Sequence, residues 1–208
     1  MSVRKAYDQW SATYDDVDNK TRDLEKRACE TILSSIDLGV VIEIGGGTGK
    51  NTGWLARRAS CVVSVDISEE MQAVAKQKID SSNVEFHISD IKEAWTLTLT
   101  DADLITCSLV LEHVEHLGHV FGEAKRHLRS GGYFYVCELH PFKQYAGSKA
   151  RFQTADGLHV LDCYVHNVTD YTDAASVNGF SIERIEEWFD DNDRTRPPRL
   201  LSFLFRLK

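Results

Sequence analysis

The stretch VIEIGGGTGKNTGWLA, residues 41–56, decides the fold class, because an apolar run passes directly into a loop with glycine at positions 45, 46, 47 and 49. Glycine carries no side chain, so such a loop lets a ligand approach the backbone closely. The identity of that ligand is the first question raised by the sequence. A nucleoside triphosphate, a dinucleotide and another adenosine-bearing ligand are the three candidates.

Two phosphate-binding patterns fit this loop poorly. The P-loop pattern G-x-x-x-x-G-K-[ST] would place Ile44 at its first glycine and Asn51 at its magnesium-binding hydroxyl. The dinucleotide pattern G-x-G-x-x-G needs a third glycine, and its two registers end on Lys50 and Thr52 instead. A P-loop is therefore disfavoured, and a nicotinamide-dependent oxidoreductase stays a less favoured alternative.

Four further apolar runs predict buried strands over residues 61–65, 83–88, 102–110 and 133–139. Each run is nearly continuous rather than alternating, which is typical of a parallel strand covered on both faces. Helical spacing of apolar residues predicts helices over 21–38, 69–79, 117–130 and 169–178. This alternation of strands and helices predicts an α/β fold with a right-handed, doubly wound sheet.

An acidic residue stands at or just after the end of each of the first three predicted strands: Glu43, Asp66 and Asp90. Glu43 would repel a pyrophosphate but suits a cationic amino group. Asp66 lies about 20 residues beyond the loop, where a carboxylate accepts hydrogen bonds from ribose hydroxyls. Asp90 is placed to accept a hydrogen bond from the exocyclic amine of adenine. The three acids together favour an adenosine ligand without phosphates.

The ordered motifs VIEIGGGTG, VVSVDIS, FHISDI, LITCSLVLEHVEH and LRSGGYFYVCELHP resemble those of class I S-adenosylmethionine-dependent methyltransferases. The likeness is strongest to the small single-domain branch with the ubiquinone and menaquinone biosynthesis methyltransferases. It implies a Rossmann-like, mostly parallel seven-stranded sheet whose last strand is antiparallel, with S-adenosyl-L-methionine as cofactor. We expect one domain over residues 1–208, with an N-terminal helical cap (1–39) and a lid insertion after strand five (141–167).

The resemblance also implies where the cofactor lies. Its methionine part would follow the glycine loop, its ribose would contact Asp66, and residues of the cap would cover it, with Tyr14 the strongest candidate beside Tyr7 and Trp10. The residues expected to bind the cofactor are Tyr14, Glu43, Gly45, Gly46, Gly47, Gly49, Asp66, Ile67, Met71, Asp90, Ile91, Ser108, Leu109 and His113.

Two histidines just beyond predicted strands are candidates for a general base in methyl transfer. His140, in CELHPF, is the first choice because it follows strand five at the acceptor side, although its neighbour Pro141 also fits a turn. His113 is the second. The cluster LEHVEHLGH has neither the order nor the spacing of a zinc motif, so we expect no metal site.

The insertion contains a mixture of basic and aromatic residues that is suited to gripping a carboxylate, although a solvated hairpin explains it as well. Its members are Lys143, Tyr145, Lys149, Arg151 and Phe152. The five cysteines contain no C-x-x-C pair and are interpreted as buried structural thiols.

The composition limits the class of partner. The net charge is -8, which disfavours nucleic acid, and the sequence contains no membrane-length apolar run and no apolar signal core. We therefore expect a cytoplasmic monomer or homodimer that methylates a small organic molecule at oxygen, nitrogen or carbon. The alternative is a protein that binds S-adenosylmethionine or S-adenosylhomocysteine without transferase activity.

Overall fold

The computed structural model describes residues 2–154 and 157–208. Strands and helices alternate through most of this part of the chain. The helices are α1 (Val3–Trp10), α2 (Lys20–Leu33), α3 (Thr52–Ala56), α4 (Glu69–Lys78), α5 (Leu117–His127), α6 (Pro141–Tyr145) and α7 (Val168–Val177). The strands are β1 (Val40–Ile44), β2 (Cys61–Asp66), β3 (Val84–Ile88), β4 (Ala102–Ser108), β5 (Leu128–Leu139), β6 (Arg151–Thr154), β7 (Gly157–Val160), β8 (Phe180–Trp188) and β9 (Leu200–Leu207).

Seven of these strands form one sheet in the order β3-β2-β1-β4-β5-β9-β8. Strands β1 to β5 pair in parallel with one another. Strand β9 runs antiparallel to both β5 and β8. The predicted α/β fold, with a mostly parallel seven-stranded sheet and an antiparallel last strand, is confirmed. The strand order reverses between β1 and β4, and in open α/β sheets such a switch point opens a crevice at the carboxyl ends of the strands.

The two faces of the sheet are covered by separate hydrophobic clusters, because successive side chains of a strand point to opposite faces. In β1, Ile42 packs in a cluster with Phe121 of α5, whereas its neighbour Val41 packs with Leu24 of α2. All four side chains are buried. Burial on both faces explains why the strands read as continuous apolar runs in the sequence.

Two predicted helices end earlier than expected. Helix α2 ends at Leu33, where the Arg58 guanidinium donates hydrogen bonds to the carbonyls of Leu33, Ser34 and Ile36 at 2.9–3.1 Å. Helix α5 ends at His127, since the next residue already pairs with Ala102 in the sheet. The glycines at 131 and 132 therefore lie within the strand β5 rather than at the helix end.

The insertion contains α6 and a separate two-stranded antiparallel ribbon of β6 and β7. The predicted hairpin is thus present, and it follows a short helix that the sequence did not indicate. The side chain of Phe152 lies outside the described residues. Among residues 2–154 and 157–208, no helix is long and apolar enough to cross a membrane.

Candidate active site

The glycine loop after β1 is built around main-chain contacts that a side chain would block. The N–H groups of Gly45 and Gly46 donate to the carbonyl of Val65 at 2.8 and 3.1 Å. Gly45 has a φ of +71°, and a Cβ there would lie 2.1 Å from Val110 Cγ2. Glycine is needed at this position both for the left-handed backbone and for the close approach of the loop after β4.

Gly49 packs the loop against the helix α4. It has a φ of +82°, and a Cβ on it would lie 2.5 Å from Ile79 Cδ1 and 3.1 Å from Ala75 Cβ. It does not line the cavity that the other glycines line, so a contact of Gly49 with the cofactor stays a prediction.

A cavity of about 1070 Å³, including its mouth, opens at the carboxyl ends of β1 to β4. We call it the first cavity. Every residue expected to bind the cofactor lines it except Gly49. The lining residues also include several that the sequence did not single out: Val3, Arg22, Glu25, Ile44, Thr48, Lys50, Asn51, Ser89, Lys92, Thr106, Val110 and Val114.

Glu43 supplies a buried carboxylate to this cavity. Its Oε2 accepts hydrogen bonds from Thr52 Oγ1 at 2.5 Å and from Ser64 Oγ at 3.0 Å. Burial raises the pKa of Glu43 from its ordinary value of 4.5 to about 7, although both hydroxyl groups oppose the shift. A carboxyl group that titrates near neutrality in this way gains strongly from a cationic partner.

Asp66 ties the end of β2 to the glycine loop. One carboxylate oxygen accepts from the Gly47 N–H and the other from the Ser68 N–H, both at 2.8 Å. Burial raises the pKa of Asp66, while these main-chain hydrogen bonds act in the opposite direction. The loop, the strand end and the start of α4 are thus held together by one carboxylate that also faces the cavity.

The far side of the first cavity combines apolar side chains with one half-buried acid, Asp90. Met71 and Ile91 are buried, and Ile67 is half-buried beside them. Asp90 is half-buried, accepts a hydrogen bond from the Lys92 N–H at 3.0 Å and lies 3.7 Å from Lys92 Nζ. Flat apolar walls with a single acceptor at the rim suit a purine base.

The N-terminal cap is fastened over this cavity by polar contacts at several points. Arg4 Nε donates to the Ile67 carbonyl at 2.9 Å, and Ser68 Oγ donates to Asp8 at 2.6 Å. The carboxylate of Asp15 accepts from Thr48 Oγ1 at 2.8 Å and from Lys78 Nζ at 2.6 Å. These contacts join the cap to the glycine loop, to β2 and to α4.

Tyr7, on α1, contacts His113, on the turn after β4. The Tyr7 hydroxyl lies 2.9 Å from His113 Nε2, and the rings meet edge to face at 5.5 Å. Burial lowers the pKa of His113 from 6.5 to about 4 and raises the pKa of Tyr7 well above its ordinary value. At neutral pH the imidazole is therefore uncharged, and in the tautomer protonated at Nδ1 its Nε2 accepts the proton of the Tyr7 hydroxyl.

Glu138 fixes the turn that carries His113. Its Oε1 accepts from the N–H groups of Val110 and Leu111 at 3.0 and 2.9 Å. Burial raises the pKa of Glu138 to about 8, against the effect of these two hydrogen bonds. No sequence pattern indicates this role, because Glu138 occurs within an apolar strand pattern.

A second cavity, of about 1440 Å³ including its mouth, lies between the cap, the start of α2 and the insertion. Its wall is formed by Tyr7, Trp10, Tyr14, Val17, Asp18, Asn19, Thr21, Arg22, Leu109, Glu112, Leu139, Ala146, Gly147, Ser148, Lys149, Ala150, Arg151 and Arg199. Four of these residues, Tyr7, Tyr14, Arg22 and Leu109, also line the first cavity. The two cavities are therefore neighbours that share one wall.

Arg22 in this shared wall is a residue that sequence reasoning missed. It is buried, its guanidinium donates to the carbonyls of Tyr14 and Val17, and it stacks 4.2 Å from the centre of the Tyr14 ring. The stacking holds Tyr14, the strongest cap candidate, between the two cavities. An arginine on an amphipathic helix is usually exposed, so its position alone carried no signal.

His140 lines neither of the two cavities. Its Nδ1 accepts from the Phe142 N–H at 3.2 Å and caps α6, while its Nε2 lies 3.2 Å from Glu187 Oε1. The ring is used to cap α6, so the structure does not support the expectation that His140 faces the acceptor side. His113 is the histidine that the fold brings to the site.

Of the basic and aromatic residues of the insertion, Lys149 and Arg151 line the second cavity. Lys143 lies 4.0 Å from Asp190, and the Tyr145 hydroxyl donates to Asn167 at 3.0 Å. Within residues 2–154 and 157–208, no group of three or more His, Cys, Asp or Glu side chains is arranged to hold a metal ion.

Comparison with known proteins shows what this chain is similar to. A family model described as a methyltransferase domain matches residues 42–136, which span β1 to most of β5. The chain is 28% identical over 196 residues to a malonyl-[acyl-carrier protein] O-methyltransferase of Marinomonas sp. (strain MWYL1), covering 90% of this chain and 71% of the relative. It is 27% identical over 113 residues to a ubiquinone biosynthesis O-methyltransferase of Nitrosomonas europaea, covering 53% of this chain and 48% of that relative.

The fold is also that of a solved cofactor complex. The structure of a DhpI–SAM–HEP complex superposes with a TM-score of 0.76 at 21% identity and covers 99% of each chain. The matched domain, the O-methyltransferase relatives and the shared fold agree with the acids and glycines at the strand ends. The chain is therefore similar in sequence to methyltransferases, and it shares the fold of a protein solved in complex with SAM.

Proposed function

We propose that the protein transfers a methyl group from S-adenosylmethionine in the first cavity to a small organic acceptor in the second cavity. The observation that carries this proposal is the wall shared by the two cavities. Tyr7, Tyr14, Arg22 and Leu109 line both. A methyl donor and an acceptor bound on either side of these residues are brought together, and such positioning is a large part of the catalysis of a displacement reaction.

The residues of the first cavity fit the parts of the cofactor. The buried carboxylate of Glu43 suits the ammonium group, Asp66 suits the ribose hydroxyls, and the apolar surface of Met71 and Ile91 suits the adenine ring. At Gly47 an added Cβ would have only the Gly45 carbonyl within 4 Å, at 3.9 Å, so the backbone there is open to the methionine chain. When bound, the cofactor supplies a methyl group activated by its attachment to a positively charged sulfur.

The pair formed by Tyr7 and His113 is placed to remove a proton from the acceptor. Tyr7 lines both cavities, and its hydroxyl donates to His113 Nε2 at 2.9 Å. As the Tyr7 proton moves to His113 Nε2, the Tyr7 oxygen accepts the proton of the acceptor hydroxyl. Because the pKa of His113 is about 4, the ring is uncharged at neutral pH and has a lone pair for the proton, but it is a weaker base than an ordinary histidine.

The cap contributes by excluding water from the shared wall. The stacked and edge-to-face contacts among Tyr7, Trp10 and Tyr14 form an aromatic layer over it, with ring centres 4.8–6.4 Å apart. The polar contacts of Asp8 and Asp15 fasten this layer to the strand ends. Exclusion of water prevents hydrolysis of the donor and strengthens the electrostatic interactions inside the site.

Oxygen is the acceptor atom that these features favour. An alcohol or enol needs a base to lose its proton, and the Tyr7–His113 pair provides one. The two relatives described above are both named O-methyltransferases, which supports the same choice.

A screen of acceptors tests the proposal. Purified protein is incubated with S-adenosylmethionine and a library of small alcohols, phenols, enols, amines and thiols, and the release of S-adenosylhomocysteine is measured. The Asp66→Ala variant is the control for contaminating activity, because it removes the carboxylate that faces the ribose. Turnover of one class of acceptor by the wild-type protein alone supports the proposal. Binding of S-adenosylhomocysteine without turnover of any acceptor supports the alternative, a cofactor-binding protein.

A further inference from the structure

The second cavity has a charge opposite to that of the whole protein. The chain has a net charge of -8, yet the wall of this cavity contains four basic side chains, Arg22, Lys149, Arg151 and Arg199, and only two acidic ones, Asp18 and Glu112. A basic pocket in an acidic protein concentrates anions from solution. The cavity is therefore expected to select its ligand partly by charge.

The charge of one basic residue in this wall is already neutralised. Arg199 forms a two-pronged ion pair with Asp190, at 2.5 and 2.7 Å. Arg22 donates to main-chain carbonyls, which satisfy its hydrogen bonds but leave its charge in place. Among the described residues, neither Lys149 nor Arg151 forms an ion pair with an acidic side chain. Lys149 and Arg151 are both exposed, so they are accessible to a ligand that enters the cavity.

Glu112 does not serve as the counter-ion of these cations. Burial raises its pKa, and the causes that oppose the shift are hydrogen bonds with Cys163 and Gln144 rather than a basic side chain. Lys149 and Arg151 are thus left without an acidic partner among the described residues. A lysine beside an arginine binds a carboxylate or a phosphate through charge-assisted hydrogen bonds.

We propose that the acceptor carries an anionic group, a carboxylate or a phosphate, that is bound by Lys149 and Arg151 in the second cavity. The inference rests on the proposed function, since it names the class of molecule methylated there. The anionic group would hold the acceptor so that its reacting oxygen lies at the wall shared by the two cavities, beside Tyr7. The remaining wall, with Trp10, Val17 and Leu139, would contact the body of the acceptor.

The test measures binding, so that it does not depend on turnover. Protein saturated with S-adenosylhomocysteine is mixed with matched probes in three forms, small aromatic carboxylates, the corresponding phenyl phosphates and the neutral carboxamides, and binding is followed by ligand-observed NMR. The Lys149→Ala/Arg151→Ala double variant removes the proposed contacts. The Lys26→Ala/Arg27→Ala double variant is the matched control, because it removes the same charge from exposed positions on α2 that line neither cavity.

We expect the anionic probes to bind to the wild-type protein and to the control at least tenfold more tightly than the carboxamides. The Lys149→Ala/Arg151→Ala variant should lose this preference while its affinity for S-adenosylhomocysteine changes less than twofold. A comparison of the affinities of the carboxylate and phosphate probes shows which anion is preferred. Equal binding of carboxamides and anions, retention of the preference in the variant, or no binding of any probe would overturn the proposal. Failure of S-adenosylhomocysteine to bind would instead count against the proposed function.

Discussion

Tyr7 Oη lies 2.9 Å from His113 Nε2 and so links the N-terminal cap to the turn after β4. The sequence places these residues at positions far apart, one in a helix before the sheet and the other beyond the fourth strand. Their contact completes the site only when the cap is folded over the strand ends. The proposed proton transfer therefore requires the closed cap that the structure shows.

Replacement of Tyr7 by Phe should lower kcat about 100-fold, the lower end of the range for loss of general acid–base catalysis. The phenyl ring keeps the contacts with Trp10 and Tyr14, so the affinity for S-adenosylhomocysteine should change little. Steady-state kinetics with the best acceptor from the screen measure the effect. Tyr133→Phe, half-buried on β5 and outside both cavities, is the matched control. An unchanged kcat in Tyr7→Phe would remove this hydroxyl from the reaction.

The pH dependence of turnover should report the low pKa of His113. Protonated His113 cannot accept from Tyr7, so kcat/KM for a non-titrating acceptor, at saturating cofactor, should fall only as the pH approaches about 4. An ordinary histidine would give a break near 6.5. The His113→Asn variant should turn over much more slowly, and its rate should no longer fall near pH 4. The His140→Asn variant should keep the wild-type pH profile, because asparagine also caps helices. A break near 6.5 that disappears in His140→Asn would reverse the assignment.

The pKa of Glu43 predicts how cofactor binding depends on pH. Its carboxyl group titrates near 7, and only the ionised form attracts an ammonium group. The affinity for S-adenosylhomocysteine should therefore weaken up to about tenfold per pH unit below 7, with proton release on binding. The Glu43→Gln variant keeps an oxygen that accepts from Thr52 and Ser64. It should bind S-adenosylhomocysteine weakly, with an affinity that changes little between about pH 5.5 and 8, the range around the pKa of Glu43. Calorimetry in two buffers of different ionisation enthalpy measures both effects, and a flat profile for the wild type would contradict the role.

Glu138 should make the folded protein less stable at high pH. Its pKa is raised from 4.5 to about 8, so its contribution to stability is complete below pH 4.5 and is lost as the pH rises through 8. Glu138→Gln should be more stable than the wild type at pH 9 by on the order of 3 kcal/mol, with no such gain at pH 5. Urea unfolding at the two pH values measures the difference. Glu115→Gln, at an exposed position, is the control, and an equal gain there would show that the effect is not specific to Glu138.

Much of the fold could be predicted because its decisive signals are local. The continuous apolar runs identify strands buried on both faces, and the glycines at 45 and 49 are required by left-handed backbone and by close neighbours. The errors arise where a contact between residues distant in the sequence decides the structure. Helix α2 stops at Leu33 because of Arg58, a residue 25 positions away, and no pattern within the helix indicates such a cap.

The sequence predicts which acidic residues lie at the candidate site, but it does not predict the direction in which a side chain points. A position at the end of a strand places a residue at the correct edge of the sheet, and Glu43 and Asp66 accordingly line the first cavity. His140 occupies a similar position, but the helix that begins at Pro141 uses its ring as a cap. Arg22 and Glu138 were missed for the converse reason: a buried ionisable side chain is recognised only by partners that folding brings to it.

The central claim is that carboxylates at the strand ends make the first cavity accept a cationic adenosyl ligand and reject a pyrophosphate. Parallel calorimetric titrations of the wild-type protein with S-adenosylhomocysteine, NAD and ATP test it most directly. We predict binding of S-adenosylhomocysteine with a Kd of about 1–10 μM, equivalent to roughly 7–8 kcal/mol, and no heat from the other two ligands. Binding of NAD or ATP as tight as that of S-adenosylhomocysteine would contradict the claim.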